Sequence, residues 1–268
     1  MNTIENESFM LSQRHLSLVV FGDSHSVIWE GNDVLKRSVQ SKFPNVQVFH
    51  LGPALAFNLI NEENDGLGKW GNDILCIMEN KKPAATSIML CFGEIDIRTQ
   101  VIRRAADSHS SIQFAVREVV SRLNSFAEKL FNITKVPILL WEPVATSGTK
   151  NFTYNPEFPA IGSEIERNYA TVIFSKISRE LCRKSRAKGI PVYSFGIATK
   201  LMNIYETKPE FFEDGCHLNT NGLSIGIESL KELCFNNKLP LLHTLFEDFR
   251  ATFDTTNTRN IASLEKLP

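Results

Sequence analysis

Five short apolar runs, separated by longer amphipathic segments, constrain the fold of this chain more than any other feature. The runs are Leu16–Phe21, Val46–Leu51, Ser87–Phe92, Val136–Trp141 and Ile190–Phe195. Three of them are nearly continuous in apolar residues, which is typical of strands buried on both faces of a parallel sheet. Helices are predicted over Val27–Lys42, Gly71–Asn80, Ser110–Asn132, Gly162–Lys188 and Asn219–Phe235. This strand–helix alternation predicts a doubly wound α/β fold.

The length and composition suit one large domain. The chain has 268 residues, of which 43% are hydrophobic and 22% charged, close to an ordinary globular protein. We expect a single domain over residues 1–252, followed by a polar C-terminal tail over 253–268. A polar segment, Thr146–Pro159, follows the fourth run and is either a binding loop or a surface excursion.

Several classes of protein are disfavoured by the bulk properties. A protein that binds nucleic acid usually has an excess of basic residues, whereas the net charge of this chain is −1. No apolar run reaches membrane-spanning length, and the first residues do not form a signal-peptide pattern, so we expect no membrane insertion and a cytoplasmic location. The five cysteines are odd in number and irregularly spaced, which predicts neither a disulfide framework nor a zinc site. Nothing in the sequence indicates an oligomeric state.

The residues after each strand are the candidates for a site, because ligands of such sheets bind at the carboxyl ends of the strands. Ser24 follows the first run and precedes a helix, where it is either an exposed nucleophile or only a helix cap. His25, the next residue, either contacts a substrate or, as the simpler expectation, faces the exterior of that helix. Gly52 follows the second run, and it either offers its N–H to a substrate or only makes a turn.

The third run ends in a charged block, Gly93–Arg98. If the chain stays extended there, Glu94, Asp96 and Arg98 lie on one side and form a charged cluster at the pocket. A self-satisfied structural ion pair is the alternative. No set of histidines accompanies the two carboxylates, so the sequence predicts no metal.

Asp214 and His217 stand three residues apart before the last predicted helix. A carboxylate at this spacing can hold an imidazole in one tautomer and stabilise its cation. Cys216 lies between them, and no motif places it as a nucleophile.

Together these blocks resemble the SGNH/GDSL hydrolase superfamily. Gly22–Ser26 looks like its first block, Gly52 like the glycine of its second and Asp214–His217 like its last. The resemblance implies a flavodoxin-like three-layer α/β/α sandwich with a five-stranded parallel sheet in the order 2-1-3-4-5. It implies that Ser24 is the nucleophile, His217 the general base and Asp214 its orienter, with the Ser24 and Gly52 N–H groups forming the oxyanion hole. Asp23 is placed at the pocket with Glu94, Asp96 and Arg98.

One block departs from this pattern. The family's third block carries an Asn that donates to the oxyanion, whereas Ile95 stands at that position and has no donor. Either two N–H groups suffice, or another donor such as Arg98 substitutes. The Gly-Glu-Ile-Asp block resembles a subset of SGNH-like proteins associated with bacterial polysaccharides.

The resemblance implies an esterase that removes O-acyl groups, acetyl above all, from a carbohydrate without a cofactor. The sequence does not decide whether the acyl group passes to water or to a sugar hydroxyl. Transfer to a sugar hydroxyl would make the protein an O-acyltransferase. A binding module that has lost turnover is the rival from another class. A nucleotide-binding flavodoxin-like protein is disfavoured, because no glycine-rich phosphate loop follows the first run.

Overall fold

The computed structural model of the protein describes residues 18–31, 41–61, 66–81, 85–144 and 157–239, together with Phe246 and Phe249. Five parallel strands form one sheet in the order β2-β1-β3-β4-β5. They are β1 (Leu18–Gly22), β2 (Val46–His50), β3 (Ser87–Cys91), β4 (Ile138–Trp141) and β5 (Val192–Phe195). The predicted strands and the order 2-1-3-4-5 are confirmed.

The sheet separates two apolar cores, which explains why the central strands are apolar at nearly every position. In β1, Val19 and Phe21 face one core, whereas Leu18 and Val20 face the other. β3 and β4 alternate in the same way, because successive side chains of a strand point to opposite faces. A strand covered by helices on both faces has no polar face to offer to water.

Four long helices cover the sheet, and each end lies within two residues of the predicted one. They are α1 (Lys69–Lys81), α2 (Ile112–Thr134), α3 (Glu164–Ala187) and α4 (Thr220–Asn237). The first three contribute apolar residues to the core that contains Phe21, and α4 contributes to the opposite core. The result is the predicted α/β/α sandwich. None of the helices in the described residues is long and apolar enough to cross a membrane.

The first predicted helix differs from the expectation. The chain turns directly after β1 into a 3-10 helix over Ser24–Glu30, which ends at Gly31 in the left-handed region with φ 82°. Residues 32–40 of the predicted helix lie outside the described residues. So do residues 146–156 of the predicted polar loop and the whole predicted tail over 253–268.

The remaining elements are short. After β3 comes a helical turn at Glu94–Asp96, a π-helical stretch at Ile97–Val101 and a helix at Ile102–Asp107. Two small antiparallel hairpins pair Ile60–Asn61 with Gly66–Leu67, and Met202–Asn203 with Glu206–Thr207. Three further 3-10 turns cover Ala56–Leu59, Ala198–Leu201 and Pro209–Phe211.

Candidate active site

Ser24 is placed at the carboxyl edge of the sheet by the tight end of β1. A Cβ at Gly22 would lie 2.3 Å from the carbonyl oxygen of Cys91, so only glycine lets β1 approach β3 this closely. Asp23 then caps the 3-10 helix, because its Oδ1 accepts the main-chain N–H of His25 at 2.9 Å. Ser24 is therefore the first helical residue rather than the cap itself.

A hydrogen-bonded chain joins Ser24 to the loop before α4. The Nε2 atom of His217 lies 2.8 Å from the Oγ of Ser24, and its Nδ1 lies 2.8 Å from Oδ2 of Asp214. Because a carboxylate only accepts, Nδ1 carries the proton and Nε2 presents its lone pair to the serine hydroxyl. This is the arrangement that prepares a serine for proton removal.

Asp214 is itself fixed by its own loop. Its Oδ1 accepts the main-chain N–H groups of Cys216 and His217 at 3.0 and 2.8 Å. Partial burial works against ionisation of Asp214, but the hydrogen bond from His217 and these N–H groups outweigh it and hold the pKa of the carboxyl well below its usual range. Asn219 then caps α4 by accepting from Asn221 and Gly222, which starts the helix just after the histidine.

Gly52 lies in a turn beside this chain of hydrogen bonds. Its φ is 84°, and a Cβ built there would meet nothing within 4 Å. The turn is tied to the end of β1, since the Leu51 N–H donates to the carbonyl of Gly22 at 2.9 Å. Its role as an oxyanion donor stays a prediction.

The charged block after β3 is not one cluster, and the expectation of an extended chain is wrong. Gly93, with φ 110°, turns the chain directly into a helix. In a helix, residues four apart share a face and residues two apart do not. Glu94 and Arg98 therefore meet, with Arg98 Nε donating to Glu94 Oε1 at 2.8 Å, whereas Asp96 points elsewhere.

Asp96 holds the segment that follows Gly52. Its two carboxylate oxygens accept the main-chain N–H groups of Ala56 and Phe57 at 2.7 and 3.0 Å. Complete burial raises the pKa of Asp96 to about 6, although these N–H groups partly offset the effect. The predicted pocket residue thus acts as a link between β3 and the loop after β2.

Asp23 is also a structural residue rather than a group at the pocket surface. Its side chain is completely buried and serves as the helix cap. Burial raises the pKa of Asp23 well above its usual range, and the N–H of His25 opposes this only in part. Within the described residues its Oδ2 has no hydrogen-bond partner.

His25 does not face the helix exterior as expected. It is buried, and its Nε2 lies 3.0 Å from Oε2 of Glu94. Its ring stacks on that of His217 with centroids 4.7 Å apart and planes 29° apart. The sulfur of Cys216 fills the remaining space, 3.7 Å from His25 Nε2 and 3.6 Å from Glu94 Oε1.

We call Asp214 and His217 the outer pair, and Glu94 and His25 the inner pair. Burial works against the ionised form of Glu94, but the charges of Arg98 and His25 and their hydrogen bonds hold its pKa well below the usual range. Burial lowers the pKa of His25, and the nearby charge of Glu94 opposes this only in part. Burial thus disfavours the charged form of His25, whereas Glu94 stays an ionised carboxylate.

Arg167 is a site residue that the sequence did not reveal. It is buried on the first turn of α3, and its Nη1 donates to the carbonyl of Gly162 at 2.6 Å. Arg98 donates from Nη1 to the carbonyl of Phe158, and its own carbonyl accepts from Ile161. Two buried arginines therefore hold the segment before α3 against the site. Arginines inside an amphipathic helix carry no local signal for this role.

Three potential metal ligands lie together in this region, namely His25, Cys216 and His217, with ligand atoms within 4.8 Å of one another. Imidazole lone pairs lie in the ring plane, so two stacked rings direct them side by side rather than toward a common point. Both nitrogens of His217 also already face Ser24 and Asp214. The geometry favours hydrogen bonding and proton transfer over coordination.

No protein-family model and no curated protein matches this sequence. Among solved structures, the chain is similar to a GDSL-like lipase from Bacteroides thetaiotaomicron, with 12% identity, 86% of this chain and 96% of that chain covered, and a TM-score of 0.47. It is also similar to a carbohydrate acetylesterase family member from Sinorhizobium meliloti. The identity is 14%, the match covers 81% of this chain and 98% of that chain, and the TM-score is 0.47. For a phospholipase A1 from Streptomyces albidoflavus the identity is 13%, the match covers 81% of this chain and 98% of that chain, and the TM-score is 0.44. The function proposed below rests on the site geometry and the motifs, not on these likenesses.

Proposed function

We propose that this protein is a serine-dependent ester hydrolase. The observation that carries the proposal is the continuous chain of two 2.8 Å hydrogen bonds from Ser24 through His217 to Asp214. The chain lies at the carboxyl edge of a parallel sheet, where ligands of such folds bind. The pKa of Asp214 is held well below its usual range, so an ionised carboxylate faces Nδ1 of His217, as general-base activation of a serine requires.

In the proposed reaction, Ser24 Oγ attacks the ester carbonyl while His217 Nε2 takes the hydroxyl proton. Asp214 stabilises the imidazolium that forms. The N–H groups of Ser24 and Gly52 hold the oxyanion. His217 then gives its proton to the departing alcohol, which leaves the acyl group on Ser24. Water, deprotonated by the same histidine, releases the acid and restores the serine.

For the substrate we propose an O-acyl group, such as acetyl, on a carbohydrate. The support is the resemblance of the Gly93–Asp96 block to SGNH-like proteins associated with polysaccharides. Transfer to a sugar hydroxyl would use the same steps, with that hydroxyl replacing water. Acetylated oligosaccharides incubated with and without an unacetylated acceptor distinguish the two, since only a transferase places the acetyl group on the acceptor.

A fluorophosphonate probe tests the reaction class directly, because it labels only an activated serine. We expect labelling at Ser24 by peptide mass mapping, and its loss in Ser24→Ala and His217→Ala. Ser26→Ala is the matched control, since Ser26 lies two residues away and donates to the carbonyl of Asp23 at 2.7 Å. Absence of a Ser24 adduct in the folded wild-type protein would contradict the proposal.

The second candidate is a binding module of the same fold without turnover. The observation that favours it is Ile95, a buried apolar side chain where the related motif has an oxyanion donor. One such donor is worth on the order of 10²–10³ in rate. This candidate predicts carbohydrate binding without acyl release, and the labelling experiment separates it from the hydrolase.

A further inference from the structure

The face of His217 is the one part of its ring that the Ser24 and Asp214 contacts do not fix. Both hydrogen bonds are made in the plane of the ring, at its nitrogens, so neither packs against a ring face. A tilt of the ring out of this plane swings the Nε2 lone pair out of line with the Ser24 hydroxyl. The side chain that touches this face is His25, stacked at a centroid distance of 4.7 Å.

His25 is more deeply buried than the ring it supports. Its main-chain N–H donates to Asp23, and its Nε2 lies 3.0 Å from Glu94 Oε2. Glu94 is held in turn by Arg98 Nε at 2.8 Å. The side chains of His25 and Glu94 are only 5% and 4% exposed, so solvent does not compete for these contacts.

We propose that His25 is a positioning residue for His217, its ring supporting the face of the imidazole and keeping Nε2 aimed at the hydroxyl of Ser24. The inference rests on the proposed function. His25 touches neither the substrate ester nor the reacting serine in this role and acts only through His217.

The groups around His25 suit this role. Glu94 and Arg98 face it from the segment after β3, and Cys216 and His217 from the loop before α4. Burial lowers the pKa of His25, and the charge of a protonated His217 lowers it further while the charge of Glu94 opposes both, so two stacked cations are disfavoured.

Two variants of His25 separate the effect of its ring from the effect of its polar contact with Glu94. His25→Gln keeps an N–H donor for Glu94 and removes the ring, whereas His25→Phe keeps a flat ring and removes the donor. We expect His25→Gln to lower kcat roughly 10- to 100-fold with KM within about twofold, the scale of a misaligned catalytic group. His25→Phe should retain kcat to within about threefold of wild type. Equal kcat in the two variants overturns the inference.

An NMR measurement tests the stacking without relying on turnover. In wild-type protein we expect the ring current of the stacked His25 to shield the Hε1 proton of His217. We expect this resonance to move downfield in His25→Gln and to stay shielded in His25→Phe, with circular dichroism showing both variants folded. An unmoved resonance in His25→Gln overturns the inference. If the wild type lacks Ser24-dependent turnover, the proposed function fails, and the shift pattern still decides whether His25 supports the ring.

Discussion

The outer and inner pairs consist of the same two chemical groups, a carboxylate and an imidazole, but differ in their contact with water. In the outer pair the side chains of Asp214 and His217 are 43% and 19% exposed. In the inner pair, Glu94 and His25 are 4% and 5% exposed. A group that must exchange protons with a substrate and water has to reach both. The comparison teaches that burial, rather than chemical type, separates the pair suited to react from the pair suited to hold.

The two carboxylates also show that burial does not act alone. Burial works against ionisation in both, yet the pKa of each is held below its usual range. Asp214 owes this to His217 and two main-chain N–H groups, whereas Glu94 owes it to Arg98 and His25. Asp23 lies equally deep with a single N–H partner, and its pKa is raised. A cationic or strongly donating neighbour therefore decides whether a buried acid here stays ionised.

The largest effect is expected from the outer pair. His217→Ala should lower kcat/KM by on the order of 10⁴ or more, as should Ser24→Ala, because members of such a triad act as a unit. The measurement is hydrolysis of p-nitrophenyl acetate, with thermal melting as the test of fold. The melting temperature should change little, because both residues are partly exposed. An equally deep loss of activity from a well-folded inner-pair variant would break the comparison.

The next effect concerns stability and the inner pair. Glu94→Gln leaves the charge of Arg98 buried without its counter-ion, and breaking a buried pair in this way costs about 3–5 kcal/mol. Urea unfolding measures the change. Arg98→Lys should cost less, because it keeps the charge but loses the second contact, to Phe158. The control is Glu180→Gln, which breaks an exposed pair with Lys184 and should leave the unfolding midpoint unchanged.

Asp96 sharpens the comparison as a buried acid whose two carboxylate oxygens accept main-chain N–H groups. An acid whose pKa rises on folding keeps its proton after the unfolded chain has lost it, so stability falls as pH rises through that interval. For Asp96 this pH interval runs from the ordinary pKa of 3.8 to the raised pKa of about 6. A pKa shift of this size corresponds to a loss of roughly 3 kcal/mol of folding stability across the interval.

The test compares wild type with Asp96→Asn, which cannot ionise. The variant loses an acceptor for one of two N–H groups, so its absolute stability is lower at pH 4. Its stability relative to wild type should improve as pH rises from 4 to 7, as measured by melting temperature. A constant difference across this range would show that Asp96 carries no raised pKa.

The smallest effect compares two glycines. Gly52 and Gly189 have φ of 84° and 80°, and a Cβ at either would meet nothing within 4 Å. Alanine should therefore cost about 1 kcal/mol of stability at both positions, through backbone conformation alone. Only Gly52→Ala should also lower kcat/KM, roughly 10- to 100-fold, by shifting the N–H group that we propose as an oxyanion donor. Equal activity in the two variants would remove Gly52 from the proposed hole.

The sequence predicted the sheet well, because its signals are local. The apolar runs follow from strands covered on both faces, and both ends of the four long helices fall within two residues of prediction. The spacing of Asp214 and His217 was equally informative, since one short loop closes their hydrogen bond. Patterns confined to a few neighbouring residues can be interpreted without tertiary structure.

The inner pair could not be predicted for the opposite reason. His25 meets Glu94 and Cys216 from distant parts of the chain, and no pattern around Ser24 indicates which side of a short 3-10 helix is buried. The sequence also misleads in the charged block after β3. Glu94, Asp96 and Arg98 stand at alternate positions, and residues spaced in this way share one face only in an extended chain. A left-handed Gly93 starts a helix there, and six residues are too few to show a helical period.

The bond between His217 and Ser24 joins residues 193 positions apart. A ribosome therefore completes β1 long before it adds the loop that carries Asp214 and His217. Until that loop and the following α4 have docked, Ser24 is an ordinary alcohol, no more nucleophilic than any serine on the surface. The proposed chemistry is thus withheld from a nascent or truncated chain, and any turnover would report that both ends of the fold have come together.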